Sequence, residues 1–123
     1  MRPGLTREAR VFRALAHPTR LAILQILRHR PVCVCHLTTA LSCTQPYVSQ
    51  HLAVLRQAGL IKGQKDGAFV YYTLRDYSVL GVIDMVSGPL GRAPGATPAG
   101  AERLEGCACP QCTTGAAPAK GAA

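Results

Sequence analysis

The sequence predicts a mainly α-helical chain that carries one β-hairpin and ends in a segment without regular structure. Three observations predict it. Apolar residues recur at helical spacing through residues 6–58 and again through 75–87. Between those regions, residues 60–74 switch to strand-like runs rich in β-branched and aromatic types, divided by Lys65-Asp66-Gly67. From Gly88 onward Gly, Pro, Ala and Thr dominate and periodicity is lost. One folded domain is therefore expected over residues 1–88, and a flexible tail over 89–123.

A length of 123 residues suits one domain, and 48% hydrophobic residues allow a core, though a small one. Fourteen Lys and Arg against six Asp and Glu give a formal charge of +8, a balance that favours a polyanion such as DNA, RNA or an acidic membrane surface, with simple solubility the alternative that charge alone leaves open. No apolar run approaches the roughly 18 residues of a membrane span. The opening MRPGLTREARVF lacks the apolar centre of a signal peptide. A cytoplasmic protein with reduced thiols is expected, and no membrane partner. Six cysteines in that setting point to metal binding or redox chemistry rather than a disulfide framework. An enzyme is not expected: no Ser/His/Asp set, carboxylate pair or glycine-rich phosphate loop is present.

Residues 6–16 form the first expected helix, with Thr6 as its cap and Leu5, Ala9, Phe12 and Ala16 along one side. Arg7, Arg10 and Arg13 read as a solvated face. Pro18 suits the first position of a second helix over 18–28, which is apolar nearly all round and hence central. His17 and His29 flank it as caps rather than ligands. After Pro31, Val34, Leu37 and Leu41 mark a short helix with Cys33 and Cys35 in its opening turn. Ser42-Cys43-Thr44 breaks the chain, with Thr44 as a cap and Pro46 in the first turn of a helix over about 45–58 that Gly59 ends.

In that helix Val48, Leu52 and Leu55 share the core side. Gln45, Tyr47, Ser49, Gln50 and His51 are candidates to read base edges in the major groove of DNA. Arg56, with Lys62 and Lys65 on the hairpin, suits phosphate contact. A basic hairpin directly after a helix-turn-helix is a wing, so the fold class is a winged helix-turn-helix. Over residues 75–87, Val79, Leu80, Val82, Ile83 and Val86 cover more than one face. The surplus apolar surface predicts a homodimer through the first and last helices, on a two-fold operator.

The segments ALAHPTRLAILQIL, VCVCHL, SQHLAVLRQAGLI and KDGAFVYYTL, in that order, resemble the ArsR/SmtB type of bacterial metal-responsive repressor over roughly residues 11–86. The resemblance implies a homodimer that binds operator DNA and releases it when a thiophilic ion binds. VCVCHL is similar to the thiol motif of the arsenic- and cadmium-responsive branches, with Cys33 and Cys35 on its two cysteines. His36 stands where those branches usually carry an acidic residue, and Thr38 where the arsenic branch commonly has a third cysteine. The last helix holds Asp84 but no histidine, so the zinc-type site of the family is incomplete.

Clustered thiols without clustered imidazoles favour As(III) or Sb(III), or an organic arsenical that needs only two thiols. Cd(II) and Pb(II) come next, and Zn(II) is open because four cysteines can hold it. No permanent cofactor is expected. Positions i and i+2 of a regular helix do not face one another. Gripping an ion with Cys33 and Cys35 is thus expected to distort the helix start and shift the reading helix. Cys43 lies eight residues past Cys35, roughly 12 Å along a helix, too far to join them. A flexible linker of about 19 residues spans roughly 25 Å r.m.s., so Cys107, Cys109 or Cys112 can close the site. A composite site is favoured; the alternatives are a separate trigonal site in the tail, and simple core packing of Cys33. Two other functions remain open: a thiol redox-sensing repressor of the same fold, and a metal-buffering protein whose active part is the tail.

Overall fold

The computed structural model describes residues 3–91 and Cys107. In chain order the elements are α1 (Thr6–Leu15), α2 (Pro18–Leu27), β1 (Val32–Cys33), α3 (Val34–Leu41), α4 (Gln45–Gln57), β2 (Ile61–Asp66), β3 (Phe69–Leu74) and α5 (Ser78–Ser87). Single 3-10 turns at Pro3–Leu5 and Gly88–Leu90 flank them. Most of the expected tail, with Cys109 and Cys112, lies outside the described residues. Among those described, no helix is long and apolar enough to cross a membrane.

The middle of the molecule is α2. Pro18 opens it, and the Nδ1 of His17 accepts the Thr19 N–H at 3.1 Å, so His17 is the cap. Ile23, Leu24, Ile26 and Leu27 are all buried. Each such side chain contributes on the order of 1.5–3 kcal/mol by leaving water, which makes α2 the axle of the fold. Around it pack Leu37 of α3, Val48, Leu52 and Leu55 of α4, Leu74 of β3, and Val79, Leu80 and Ile83 of α5.

Several ends differ from expectation. Thr6 is the first residue of α1 and not its cap, and no side chain caps that end; Thr44 holds the N-cap position of α4 as expected, but its side chain makes no capping hydrogen bond. Ser42 terminates α3 with φ +53, and Gly59 follows α4 with φ +78. The hairpin turns later than expected: Lys65 and Asp66 belong to β2, and Asp66 pairs with Phe69 across Gly67-Ala68. Gly67 there has φ +62. Helix α5 starts at Ser78 rather than 75. Arg75 N–H is drawn to the Leu60 carbonyl at 2.9 Å, and Asp76 Oδ1 accepts from the Ser78 N–H at 2.9 Å, so the chain turns first.

The sheet has one strand more than the hairpin supplies. Its order is β1-β3-β2, all antiparallel, with Val32 opposite Tyr72 and Cys33 opposite Tyr71. Two residues carry no readable period, so only the open edge of β3 reveals β1 as a strand.

Candidate thiol site and nucleic-acid interface

Cys33 ends β1 and is the N-cap of α3, with extended backbone at φ −88 and ψ 168. It therefore precedes the helix instead of lying in its first turn. The Cα atoms of Cys33 and Cys35 are 5.4 Å apart and their sulfurs are joined as a disulfide. The expectation that α3 must be distorted before both sulfurs meet is thus corrected: an extended residue next to a helical one already turns both side chains to one side. Cys33 Sγ also accepts the His36 N–H at 3.3 Å.

A third sulfur joins them. Cys107 Sγ lies 3.5 Å from Cys35 Sγ, and all three sulfurs fall within 4.8 Å of one another. Cys33, Tyr71 and Cys107 form a small buried cluster, with Cys35 and Phe69 packed on it. Of the three candidate tail cysteines, Cys107 is the one among the described residues. Cys43 stays apart, in the α3–α4 turn, with its thiol on the Leu41 carbonyl at 3.2 Å. Among the described residues the group consists of three sulfurs, and with the Cys33–Cys35 bond reduced they make a soft donor set that fits a trigonal thiophilic ion. Asp84 is committed elsewhere: Arg28 Nη2 and Nη1 hold its Oδ1 and Oδ2 at 2.7 and 3.2 Å.

On α4, Gln45, Tyr47, Ser49 and Gln50 are exposed side by side, and Arg56 is exposed nearer its end. Lys62 and Lys65 are exposed on β2. His51 is different. It is only 8% exposed, with Arg20 Nη1 at 3.1 Å from its Nδ1 and the rings of His17 and Tyr47 at 4.3 and 4.6 Å. It thus stands apart from the exposed residues with which it was expected to read bases, held inward by these groups. Its place between Val48 and Leu52 on the helix already leans toward the core side. Burial, then the neighbouring His17 and Arg20, holds its pKa below the usual imidazole value. Arg20 itself escaped sequence reasoning, since an arginine in an apolar helix gives no local signal of a partner on α4.

Another face, formed by α1, α2 and α5, is apolar. Phe12 of α1 is 59% exposed, and Met85 and Val86 of α5 are 80% and 62% exposed. With Leu15, Leu21, Val82 and Ile83, Phe12 and Val86 line a cleft of about 670 Å³ between α1, α2 and α5.

A helix-turn-helix of α3 and α4 followed by a two-stranded basic wing defines a winged helix-turn-helix DNA-binding regulator rather than an enzyme. Residues 17–62 match the model of the bacterial regulatory protein arsR family. The chain is 38% identical over 79 residues to an uncharacterized HTH-type transcriptional regulator of Methanocaldococcus jannaschii, covering 63% of this chain and 89% of that protein. The chain belongs to the arsR family. It is also 43% identical over 82 residues to the arsenic resistance transcriptional regulator ArsR1 of Pseudomonas putida, covering 60% of this chain and 64% of that protein. Among solved structures it is similar to a homodimeric winged helix-turn-helix DNA-binding domain from Mycobacterium bovis, with TM-score 0.65 and 29% identity over 71% of this chain and 81% of that one.

Proposed function

We propose that the chain is a homodimeric, cytoplasmic transcriptional repressor that holds a two-fold operator and releases it when a thiophilic ion binds Cys33, Cys35 and Cys107 as thiolates. As(III) or Sb(III) is the foremost ion, an organic arsenical on Cys33 and Cys35 alone its close variant, and Cd(II) or Pb(II) next. Zn(II) asks for a fourth donor beyond these three, and Cys109 and Cys112 are the remaining tail thiols of the sequence. The observation that carries this reading is the sulfur triangle at the root of the helix-turn-helix, all three within 4.8 Å. The likeness to an arsenic resistance regulator supports it. The exposed apolar faces of α1 and α5 support the dimer.

The chemistry follows from position. The ion needs thiolates, and Cys33, once reduced, stands at the N-terminus of α3 with the His36 backbone N–H on its sulfur. Once the Cys33–Cys35 bond is reduced, an ion held by the three sulfurs ties the start of α3 to Cys107 and pulls the one against the other. Leu37 of α3 shares one core with Val48 and Leu52 of α4, so the pull is transmitted to the reading helix. A hundredfold loss of operator affinity requires a coupling of about 2.7 kcal/mol, within the usual range.

The test is a titration of arsenite, cadmium, lead and zinc into the fully reduced protein on DNA from upstream of its own gene. Release by arsenite at stoichiometric ratio, lost in Cys33→Ser and Cys35→Ser, is the expected result. Unchanged release in both variants overturns the reading.

A second reading keeps the fold and replaces the ion by an oxidant, and the joined sulfurs of Cys33 and Cys35 favour it. It expects release by a peroxide and none by arsenite under full reduction.

A further inference from the structure

We infer that Arg20 and His51 form a positioning pair that sets the angle of the reading helix α4 against the dimer helix α1, and thereby the spacing of half-sites the protein accepts. The inference rests on the homodimeric reading given above.

Arg20 uses its guanidinium on three sides. Its Nε donates to the Ala14 carbonyl at 2.6 Å, its Nη2 donates to the Arg13 carbonyl at 3.0 Å, and its Nη1 lies 3.1 Å from His51 Nδ1. Arg13 and Ala14 belong to the last turn of α1, where carbonyls favour a cation; the Arg13 carbonyl also accepts the Ala16 N–H at 3.3 Å. One side chain of α2 thus holds the end of α1 and the middle of α4 together. The fork is planar and rigid, so it fixes direction as well as distance.

His51 is held on its other sides too. Its ring meets those of His17, the cap of α2, and Tyr47, one turn earlier on α4, and the Tyr47 hydroxyl lies 3.4 Å from Thr19 Oγ1. Beside this knot α1 and α4 do not fill the space between them. A cleft of about 530 Å³ separates them, lined by Arg10, Arg13, Val54 and Gln57 among others. Ala14 and Leu15 of α1 share the core with Leu52 and Leu55 of α4, and to that non-directional packing the polar knot adds a tie of fixed direction. The same turns of α4 present Tyr47, Ser49 and Gln50 outward. In a two-fold dimer the two reading helices must enter grooves about one DNA turn apart, so any freedom of α4 against α1 blurs that spacing.

The test uses the reduced full-length chain and a two-fold duplex that the wild-type protein selects from random DNA, together with versions lengthened or shortened by one base pair between half-sites. Wild type is expected to lose affinity about tenfold or more on the altered spacings, the scale of a base-pair mismatch. Arg20→Lys and His51→Leu are expected to narrow that preference to less than about threefold, with helix content by circular dichroism unchanged. His51→Asn offers an amide oxygen near the position of Nδ1 and is expected to keep the preference. This variant keeps the inference testable if His51→Leu does not fold. Spacing preference intact in folded Arg20→Lys, or lost in folded His51→Asn, overturns the inference. A wild-type protein that sediments as a monomer on its selected DNA overturns the dimer reading instead, before any variant is made.

Discussion

The Sγ of Cys107 stands 3.5 Å from the Sγ of Cys35, although 72 positions of chain separate them. The contact brings a cysteine from beyond α5 to the first turn of α3. It turns a two-thiol motif into a three-thiol set without using the helix position that Thr38 occupies. Thr38 instead donates its hydroxyl to the Cys35 carbonyl at 2.8 Å.

If that contact completes the ion site, Cys107→Ser raises the arsenite concentration needed for operator release about tenfold or more, equivalent to about 1.4 kcal/mol. Cys109→Ser and Cys112→Ser leave it within about threefold. Fluorescence anisotropy of labelled operator under full reduction reads the three curves. Equal effects of all three substitutions contradict the assignment.

The apolar faces of α1 and α5 give a second expectation. Val86→Glu places an unpaired charge on the face proposed to meet a partner, at a cost of several kcal/mol if buried there. The variant should sediment as a monomer and bind operator far more weakly, while helix content persists. A dimer of wild-type strength contradicts this interface.

The ion pair of Arg28 and Asp84 ties α5 to α2, with side chains 14% and 24% exposed. Its burial lies between that of a surface pair and an interior one, so Asp84→Asn should cost about 1–2 kcal/mol. Urea unfolding measures this, at one fixed protein concentration because association contributes to stability.

On DNA, Lys62 and Lys65 are expected to touch phosphate and Gln50 a base. Lys62→Ala and Lys65→Ala should each reduce the slope of log affinity against log salt by about 0.9 and leave sequence preference unchanged. Gln50→Ala should relax preference at one position of each half-site and leave the slope alone. Binding at several salt concentrations to a panel of single-base operator variants separates the two effects.

The burial of His51, with His17 and Arg20 beside it, gives a pH dependence of stability. Its folded pKa lies below the ordinary value of 6.5, so below that pH the unfolded chain binds more protons than the folded one. The stability is fully present above about pH 6.5 and declines as pH falls through the window beneath it. His51→Asn should flatten the urea midpoint over that window relative to wild type. A wild-type midpoint that does not move between pH 7.5 and the low end of its folding range counts against it.

Much of the fold was legible because local pattern carries it. A helix apolar on all sides can only be central, and α2 is. Val48, Leu52 and Leu55 marked the inner side of α4, and all three are at most 1% exposed. Gly59 and Gly67 stood where left-handed backbone was needed. The thiol pair was readable as a motif, but its local geometry was not. Whether Cys33 is the last extended residue or the first helical one depends on β3 lying alongside to pair with it.

The sequence by itself determined the main inward-facing residues of α2 and α4, where the second helix of the helix-turn-helix and the wing lie, and that soft donors cluster at the helix-turn-helix. Periodicity, turn residues and side-chain chemistry are local properties, and the chain states them directly. Tertiary structure alone decided that β1 pairs with β3, that Cys107 meets Cys35, that Arg28 takes Asp84 and that Arg20 meets His51. Each of these joins residues between 31 and 72 positions apart. Such meetings depend on how the helices stack around α2, a property of the packed whole that no single stretch of chain encodes.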